Sequence, residues 1–265
     1  MMVGGLSEWE AIRLLIRFFT NLENIEENNI KLSSDDRLHL RSLRMRPNEE
    51  FVVCDGAETD YICKLRNNAD ESNADSVGLA EILRREKTQS EPTIHCTIYI
   101  AYTKGDRLEY SVQKAVELGA KEIVLFKSKR CIATFENIKK KLERLQKIAH
   151  EAAKQSGRGV IPTVKNGGEY GKILDTAVVE SDLSILLYES ESQLHIKQFL
   201  EREPTFLQVA VISGPEGGFD YDEIAQAQKK GIHIVSLGPR ILRSETAPIV
   251  ALSVLMYHTD NLKRS

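Results

Sequence analysis

From about Ile94 onward, short apolar runs alternate with stretches whose apolar residues recur every three or four positions. The runs "IHCTIYIAY" (94–102), "EIVLF" (122–126), "LSILLYE" (183–189), "LQVAVIS" (207–213) and "IHIVSL" (232–237) predict buried strands. Between them the spacing predicts a helix over 106–118, closed by Gly119. A second is predicted over 136–156, with Ile138, Leu142, Leu145, Ala149 and Ala152 on one face and Gly157 as its stop. A third should follow Gly218, where Asp220 and Glu223 form a capping-box pair. Strands alternating with helices predict an α/β unit with a parallel sheet covered on both faces, and ligands beyond the carboxyl ends of its strands. The preceding residues keep a different rhythm. Turn signals at Pro47-Asn48, Asp55-Gly56 and Asn67-Asn68, about ten residues apart, flank short β-rich runs and predict a small β-barrel or meander. The polar run 67–78 reads as a loop, and the charged stretch "RREKTQSEPT" (84–93) as the boundary between the two parts.

Composition changes this picture little, since 265 residues with 42% hydrophobic and 28% charged residues fit one or two ordinary globular domains. The four cysteines (Cys54, Cys63, Cys96, Cys131) are scattered, with no CxxC pair and no histidine cluster nearby. That spacing argues against a zinc site or a disulfide framework and predicts a reducing, cytoplasmic setting. The start, "MMVGGLSEWEAIRLLIRFF", carries acidic residues and a broken apolar run, so it reads as neither signal peptide nor membrane anchor. Charge adds more. Residues 94–172 hold 16 Lys/Arg against 8 Asp/Glu, whereas 1–93 hold 12 against 18 and 173–265 hold 8 against 13. A basic middle between acidic ends suits a face that binds a polyanion, although a solvated lysine-rich helix gives the same count.

Two glycine-bearing turns carry the candidate chemistry. The first is "SGPEGGFD" (213–220), after a predicted strand. A phosphate loop needs Lys-Ser/Thr after its last glycine, and here Phe219-Asp220 follows; the spacing is not that of a dinucleotide fingerprint either. Glu216 within the turn would repel a phosphate, so a ligand uncharged or cationic at this point is expected. The second turn is "SLGPRILRSETAPIVALSVL" (236–255), in which Gly238-Pro239 breaks the chain after the next strand. A helix begins near Ser244–Ala247, with Pro248 in its first turn, where a missing N–H costs little. Arg240, Arg243 and Glu245 stand beside these loops. His150, His195, His233 and Cys131 lack partners in the sequence and read as structural.

These two turns, in this order and spacing, resemble the RsmE family, methyltransferases that modify N3 of a uracil in 16S ribosomal RNA. "KGDRLEYSVQKAVELGAKEI" (104–123), "KLERLQKIAHEAAKQSGRGVIPTV" (141–164) and "HLRSLRMRPNEEFVVCDG" (39–56) are similar to further family segments, so the likeness spans roughly 17–258. It implies an N-terminal extension (1–16), a PUA-like β-barrel that binds RNA (17–88) and a SPOUT-type α/β domain with a C-terminal trefoil knot (89–265). It implies S-adenosyl-L-methionine (SAM) as cofactor, without a metal, held by Leu187, Tyr188, Gly214, Pro215, Glu216, Gly217, Gly218, Leu237, Gly238, Arg240, Ile241 and Leu242. The cationic sulfonium is not opposed by Glu216. Uracil N3 is protonated at neutral pH and its lone pair is conjugated. Transfer therefore needs the proton removed or the charge on the flanking carbonyls stabilised. Arg243 is the expected charge-stabilising group and Glu245 the weaker candidate for a base; Glu245 could equally favour a helix N-terminus electrostatically. RNA contacts fall to Arg17, His39, Arg41, Arg44, Lys114, Arg130, Gln155 and Arg158. The implied partners are 16S rRNA within the small ribosomal subunit and a second copy of the chain, with no membrane. The alternatives are a non-catalytic RNA-binding or assembly factor of the same fold, a SPOUT methyltransferase with another RNA target, and an ordinary nucleotide-binding α/β enzyme.

Overall fold

The computed structural model describes residues 16–46, 49–65, 78–133, 137–202 and 205–263. The turn signals Pro47-Asn48 and Asn67-Asn68, the extension before Ile16 and nearly all of the polar run 67–78 lie outside the described residues. The chain divides into two compact units, one of residues 1–91 with 154–160 and one of 92–153 with 161–265.

In the first unit, β1 (Arg17–Phe19), β2 (Asn29–Lys31), β3 (Glu50–Cys54), β4 (Thr59–Leu65) and β5 (Leu79–Lys87) form one sheet in the order β1-β3-β4-β5-β2. Every pairing is antiparallel except β1 with β3, and the sheet fits a barrel-like unit. The predicted turn at Asp55-Gly56 joins β3 to β4. There Asp55 Oδ1 accepts the N–H groups of Ala57 (2.7 Å) and Thr59 (3.0 Å), and Gly56 takes φ 74°. Sequence periodicity did not mark α1 (Ser34–Ser42), whose N-cap Ser33 accepts the Asp36 N–H and whose sole buried residue is Leu40. Phe18, Ile30, Leu40, Phe51 and Val53 fill the core.

In the second unit, β6 (His95–Ala101), β7 (Glu122–Lys127), β8 (Thr163–Glu169), β9 (Leu183–Leu187), β10 (Gln208–Ser213) and β11 (His233–Val235) form a wholly parallel sheet. Its order is β11-β9-β10-β6-β7-β8. The five predicted strands are all present. α2 (Arg107–Glu117) and α3 (Ile138–Ser156) match the two predicted helices. α6 (Tyr221–Lys229) has the expected Asp220–Glu223 capping box, and α7 (Thr246–His258) carries Pro248 in its first turn. Three elements were not foreseen: β8, α4 (Tyr170–Glu180) and α5 (Ile196–Leu200). β8 is a sheet edge of mostly polar residues with two glycines. Gly167 is required there because a Cβ would stand 2.5 Å from Ile173 Cγ2 and 2.7 Å from Val124 Cγ1. Below the sheet's carboxyl end, Tyr170 packs between Phe126 and Phe219, at ring distances of 6.1 and 5.6 Å, and its hydroxyl donates to the Glu223 carbonyl (2.8 Å). This cluster supports the base of the glycine turn.

The first unit depends on a buried ion pair. Arg17 reaches both Asp60 oxygens at 2.6 Å, and Thr88 donates a further hydrogen bond to Asp60 Oδ1 (2.7 Å). Removing one member of such a pair is far more costly than replacing both. Asp60→Ala is therefore expected to destabilise the protein by about 3 kcal/mol in urea unfolding, and Arg17→Met/Asp60→Leu to recover most of that loss. An unchanged midpoint for Asp60→Ala would contradict this role.

Candidate active site

β9 lies between β10 and β11, and the registers Ile212↔Leu186 and Val235↔Leu187 bring the three carboxyl ends level. The loops that leave them therefore converge. The first begins at Leu187-Tyr188, pinned where the Tyr188 N–H donates to the Val235 carbonyl (3.0 Å). The second is the glycine turn, closed by the Gly218 N–H on the Pro215 carbonyl (3.0 Å). Gly218 takes φ 66°, and a Cβ there would lie 2.6 Å from Glu189 Oε1. At Gly214 a Cβ would meet the Phe219 ring at 2.9 Å. The third loop runs from Leu237 to Glu245 and ends where the Arg243 carbonyl accepts the N–H groups of Thr246 (2.8 Å) and Ala247 (3.0 Å) at the start of α7.

Together these loops wall a cleft of about 520 Å³. Leu187, Tyr188, Gly214, Pro215, Glu216, Gly217, Gly218, Leu237, Gly238, Arg240, Ile241, Leu242, Arg243 and Glu245 all line it, so every residue expected at the cofactor and catalytic positions falls in one place. Its lining combines glycine backbone with the side chains of Leu187, Tyr188, Phe219, Leu237, Ile241 and Leu242. Its mouth is charged.

Sequence reasoning missed the organiser of that mouth. Arg107, at the start of α2, sends Nη1 to Glu216 Oε1 (2.7 Å) and holds Nε 3.9 Å from Glu245 Oε2. The Lys104 N–H also donates to Glu216 Oε1 (3.0 Å). Burial pushes the Glu216 carboxyl up, but the Lys104 N–H, its own N–H and Arg107 outweigh it and hold it below the usual carboxylate range. Glu216 is thus a compensated carboxylate, not the free negative charge its place in the sequence suggested. Glu245, 15% exposed, accepts the Ser244 hydroxyl (3.1 Å) and lies 3.9 Å from Arg243 Nη1. It occupies the N-cap position of α7 without a capping hydrogen bond. The Arg243 side chain, 82% exposed, reaches outward from the rim. Only the sheet order, which seats β6 beside β10, could have placed Arg107 here.

A model for the RNA methyltransferase domain matches residues 89–256. The Bacillus subtilis protein named ribosomal RNA small subunit methyltransferase E is 31% identical over 259 residues, covering 93% of this chain and 98% of that protein. The enzyme of the same name from Mesomycoplasma hyopneumoniae is 32% identical over 240 residues, covering 90% and 98%. This chain belongs to the ribosomal RNA small subunit methyltransferase E family. Among solved structures, the Neisseria gonorrhoeae methyltransferase E bound to S-adenosyl methionine aligns with TM-score 0.79 and 31% identity, over 92% of this chain and 97% of that one. A Legionella pneumophila protein in complex with the bound cofactor SAM aligns with TM-score 0.76 and 28% identity, over 92% and 97%.

The residues expected to meet RNA divide by burial. Arg17 (9% exposed) is engaged by Asp60, and Arg158 (3%) by both oxygens of Glu91, at 3.1 and 2.6 Å. Both arginines are buried in ion pairs within the first unit. His39, Arg41, Arg44 and Gln155 are exposed on that unit, His39 with its ring edge-on to Phe18 at 5.7 Å. In the second unit, Lys114 pairs with Glu117 at 2.8 Å over the Tyr110 ring. Arg130 braces the glycine turn, donating to the Gly217 carbonyl (3.3 Å) and to Asp220 (3.2 Å). The structural reading of the histidines agrees with His195 Nδ1 accepting the Lys197 N–H at the start of α5, and with His233 packed on Phe199 at 4.7 Å. Burial pushes the thiols of Cys54, Cys63 and Cys96 up to about 12, so they are inert. Among the described residues, no cluster of His, Cys, Asp and Glu could hold a metal ion, and no helix is long and apolar enough to cross a membrane.

Because the Glu216 carboxyl is depressed, its contribution to stability is present above its unfolded value of 4.5 and is lost as pH falls through the lower folded value. Arg107→Ala is expected to move the Glu216 carboxyl titration upward and to shrink that contribution, read by carbon-13 NMR of glutamate-labelled protein. A titration that stays in place would mean that the two backbone N–H groups suffice.

Proposed function

We propose that this chain transfers a methyl group from SAM to N3 of a uridine in 16S ribosomal RNA. The observation that carries the reading is the cleft itself. Three adjacent strand-end loops supply backbone donors, acceptors and aliphatic walls without the Lys-Ser/Thr of a phosphate loop. Such a cradle suits adenine and ribose, and glycines at 214 and 218 stand where a Cβ would collide with its walls. Two relatives of matching fold were solved with SAM bound.

When bound, SAM supplies an electrophilic methyl group on a sulfonium. The chain's residues then orient and discharge the acceptor. Backbone at Leu187-Tyr188, Gly214–Gly218 and Leu237–Leu242 fixes the cofactor and excludes water. Arg243, free to swing at the rim, donates to a uracil carbonyl as negative charge develops there. Glu245, beside Arg243 and Arg107, takes the N3 proton. Bound SAM would give up its methyl group to N3 and would leave as the neutral thioether, the methyl–sulfur electron pair staying on sulfur. Arg107 offsets the charge of Glu216 and faces Glu245, so that the cleft is neither strongly acidic nor basic.

The finer architecture belongs to the same proposal: a PUA-like barrel, then a SPOUT domain whose last loops form a trefoil knot, in a cytoplasmic homodimer. It is supported by the mostly antiparallel first sheet, the return of the chain from β10 past β9 to β11, and the apolar α7. Its substrate setting is the small ribosomal subunit.

Small subunits from a strain lacking the enzyme, incubated with labelled SAM and the protein, should yield 3-methyluridine on nucleoside mass spectrometry. Arg243→Ala should lower kcat by roughly 10²-fold, as loss of one charge-stabilising donor does, and leave SAM affinity nearly unchanged. Methylation of another nucleoside would overturn the proposed target. Absence of transfer with SAM bound would overturn the catalytic reading.

A further inference from the structure

β6 ends in a short loop, residues 102–106, with a different hollow on its far side. Toward the cofactor cleft, the Lys104 N–H and the Arg107 side chain both bond Glu216 Oε1. On the other side, Thr103, Lys104, Asp106, Glu109, Lys141 and Arg144 line a space of about 460 Å³.

Its donors point to one chemistry. Thr103, in the wall of the hollow, is 2% exposed and its buried hydroxyl has no hydrogen-bond partner, a cost that a turn of the side chain toward a ligand in the hollow would relieve. α2 starts at this hollow, and its N-cap Asp106 makes no side-chain bond to the first-turn N–H groups. Those N–H groups and the positive end of the helix favour an anion. Glu109 fixes two cations, Lys141 Nζ at 3.0 Å and Arg144 Nη2 at 2.8 Å. Burial pushes the Glu109 carboxyl up, yet those two partners outweigh it and hold it below the usual range, so it stays charged and keeps them in place. Lys104 adds a third cation at the rim, so three cations face two carboxylates, Asp106 and Glu109, and the hollow keeps a net positive charge. Along α3, the exposed Lys140 and Lys147 continue the basic line from Arg144. The donor set of a hydroxyl, helix N–H groups and three cations matches a ligand that only accepts hydrogen bonds. A nucleobase, which donates as well, fits it less well.

We propose that this hollow binds a phosphodiester of the RNA strand, beside the nucleotide that enters the cofactor cleft. The assignment of the strand rests on the methyl-transfer reading of that cleft; the anion chemistry does not. The loop between the two sites, with Lys104 reading the backbone and its own N–H holding Glu216, would set the distance between the anchored phosphate and the reacting base.

Anisotropy of a fluorescent single-stranded oligouridylate, titrated with the full-length protein over a salt series, tests the proposal. Thr103→Val and Arg144→Ala should each weaken binding by roughly five- to tenfold. Arg144→Ala should also reduce the slope of log affinity against log salt by about 0.7, the value for one single-strand phosphate. Thr103→Val should leave Tm equal or higher, because the hydroxyl it removes is unpaired, and SAM affinity should hold in both variants. Unchanged oligouridylate affinity and salt slope would overturn the proposal. So would a joint fall in RNA affinity, SAM affinity and Tm, which would make these residues structural. Methyl transfer by the unmodified protein is followed in parallel: its absence, with the variant pattern intact, would sink the reading of the cleft and leave the phosphate site standing.

Discussion

The position of β9 between β10 and β11 governs the site. Parallel pairing points all three strands the same way, so their following loops emerge side by side from one edge of the sheet. None of these loops could wall a cleft alone. The turn 214–218 needs Glu189 and Phe219 against it to define its shape, and the loop 237–245 needs α7 to terminate it. The site is therefore a property of strand order, and its glycines follow from the closeness that order imposes.

Charge compensation is the second constraint. The charged side chains that line the cleft, Arg107, Glu189, Glu216, Arg240, Arg243 and Glu245, balance in sign. Arg107 bridges toward Glu216 and Glu245, two carboxylates from different loops. Arg130 and Lys129 do the same for Asp220 at the outer face of the glycine turn, and Lys129 with the Asp222 N–H holds that carboxyl below its usual range. The outcome is a set of ion pairs around the cleft, with Arg240 and Arg243 as exposed cations in its lining.

What the sequence disclosed follows from what periodicity can encode. The five apolar runs became β6, β7, β9, β10 and β11 because burial on both faces leaves a continuous hydrophobic signature. β8 escaped because a sheet edge with polar residues and Gly167-Gly168 has none, and α1 because only Leu40 of its nine residues is buried. The cleft residues were legible because two of its loops carry their own glycine signature; Arg107 was not, since its relevance arises from β6 lying beside β10. Burial also separates residues that look alike in the sequence. Arg17 and Arg158 are cations like Arg41 and Arg44 in the sequence, but their carboxylate partners, Asp60 and Glu91, lie 43 and 67 positions away and turn them into struts. The partners of Glu216 were equally illegible, because the N–H and guanidinium that offset it come from over 100 positions earlier.

The central claim is that the three strand-end loops form one cofactor site. Hydrogen–deuterium exchange with and without SAM tests it most directly. The account predicts slowed exchange in three separate peptides, covering 187–191, 214–219 and 237–244, rising together with SAM concentration. Protection of one loop alone, or protection centred on the second hollow lined by Leu200, Val254 and Tyr257 instead, would contradict it.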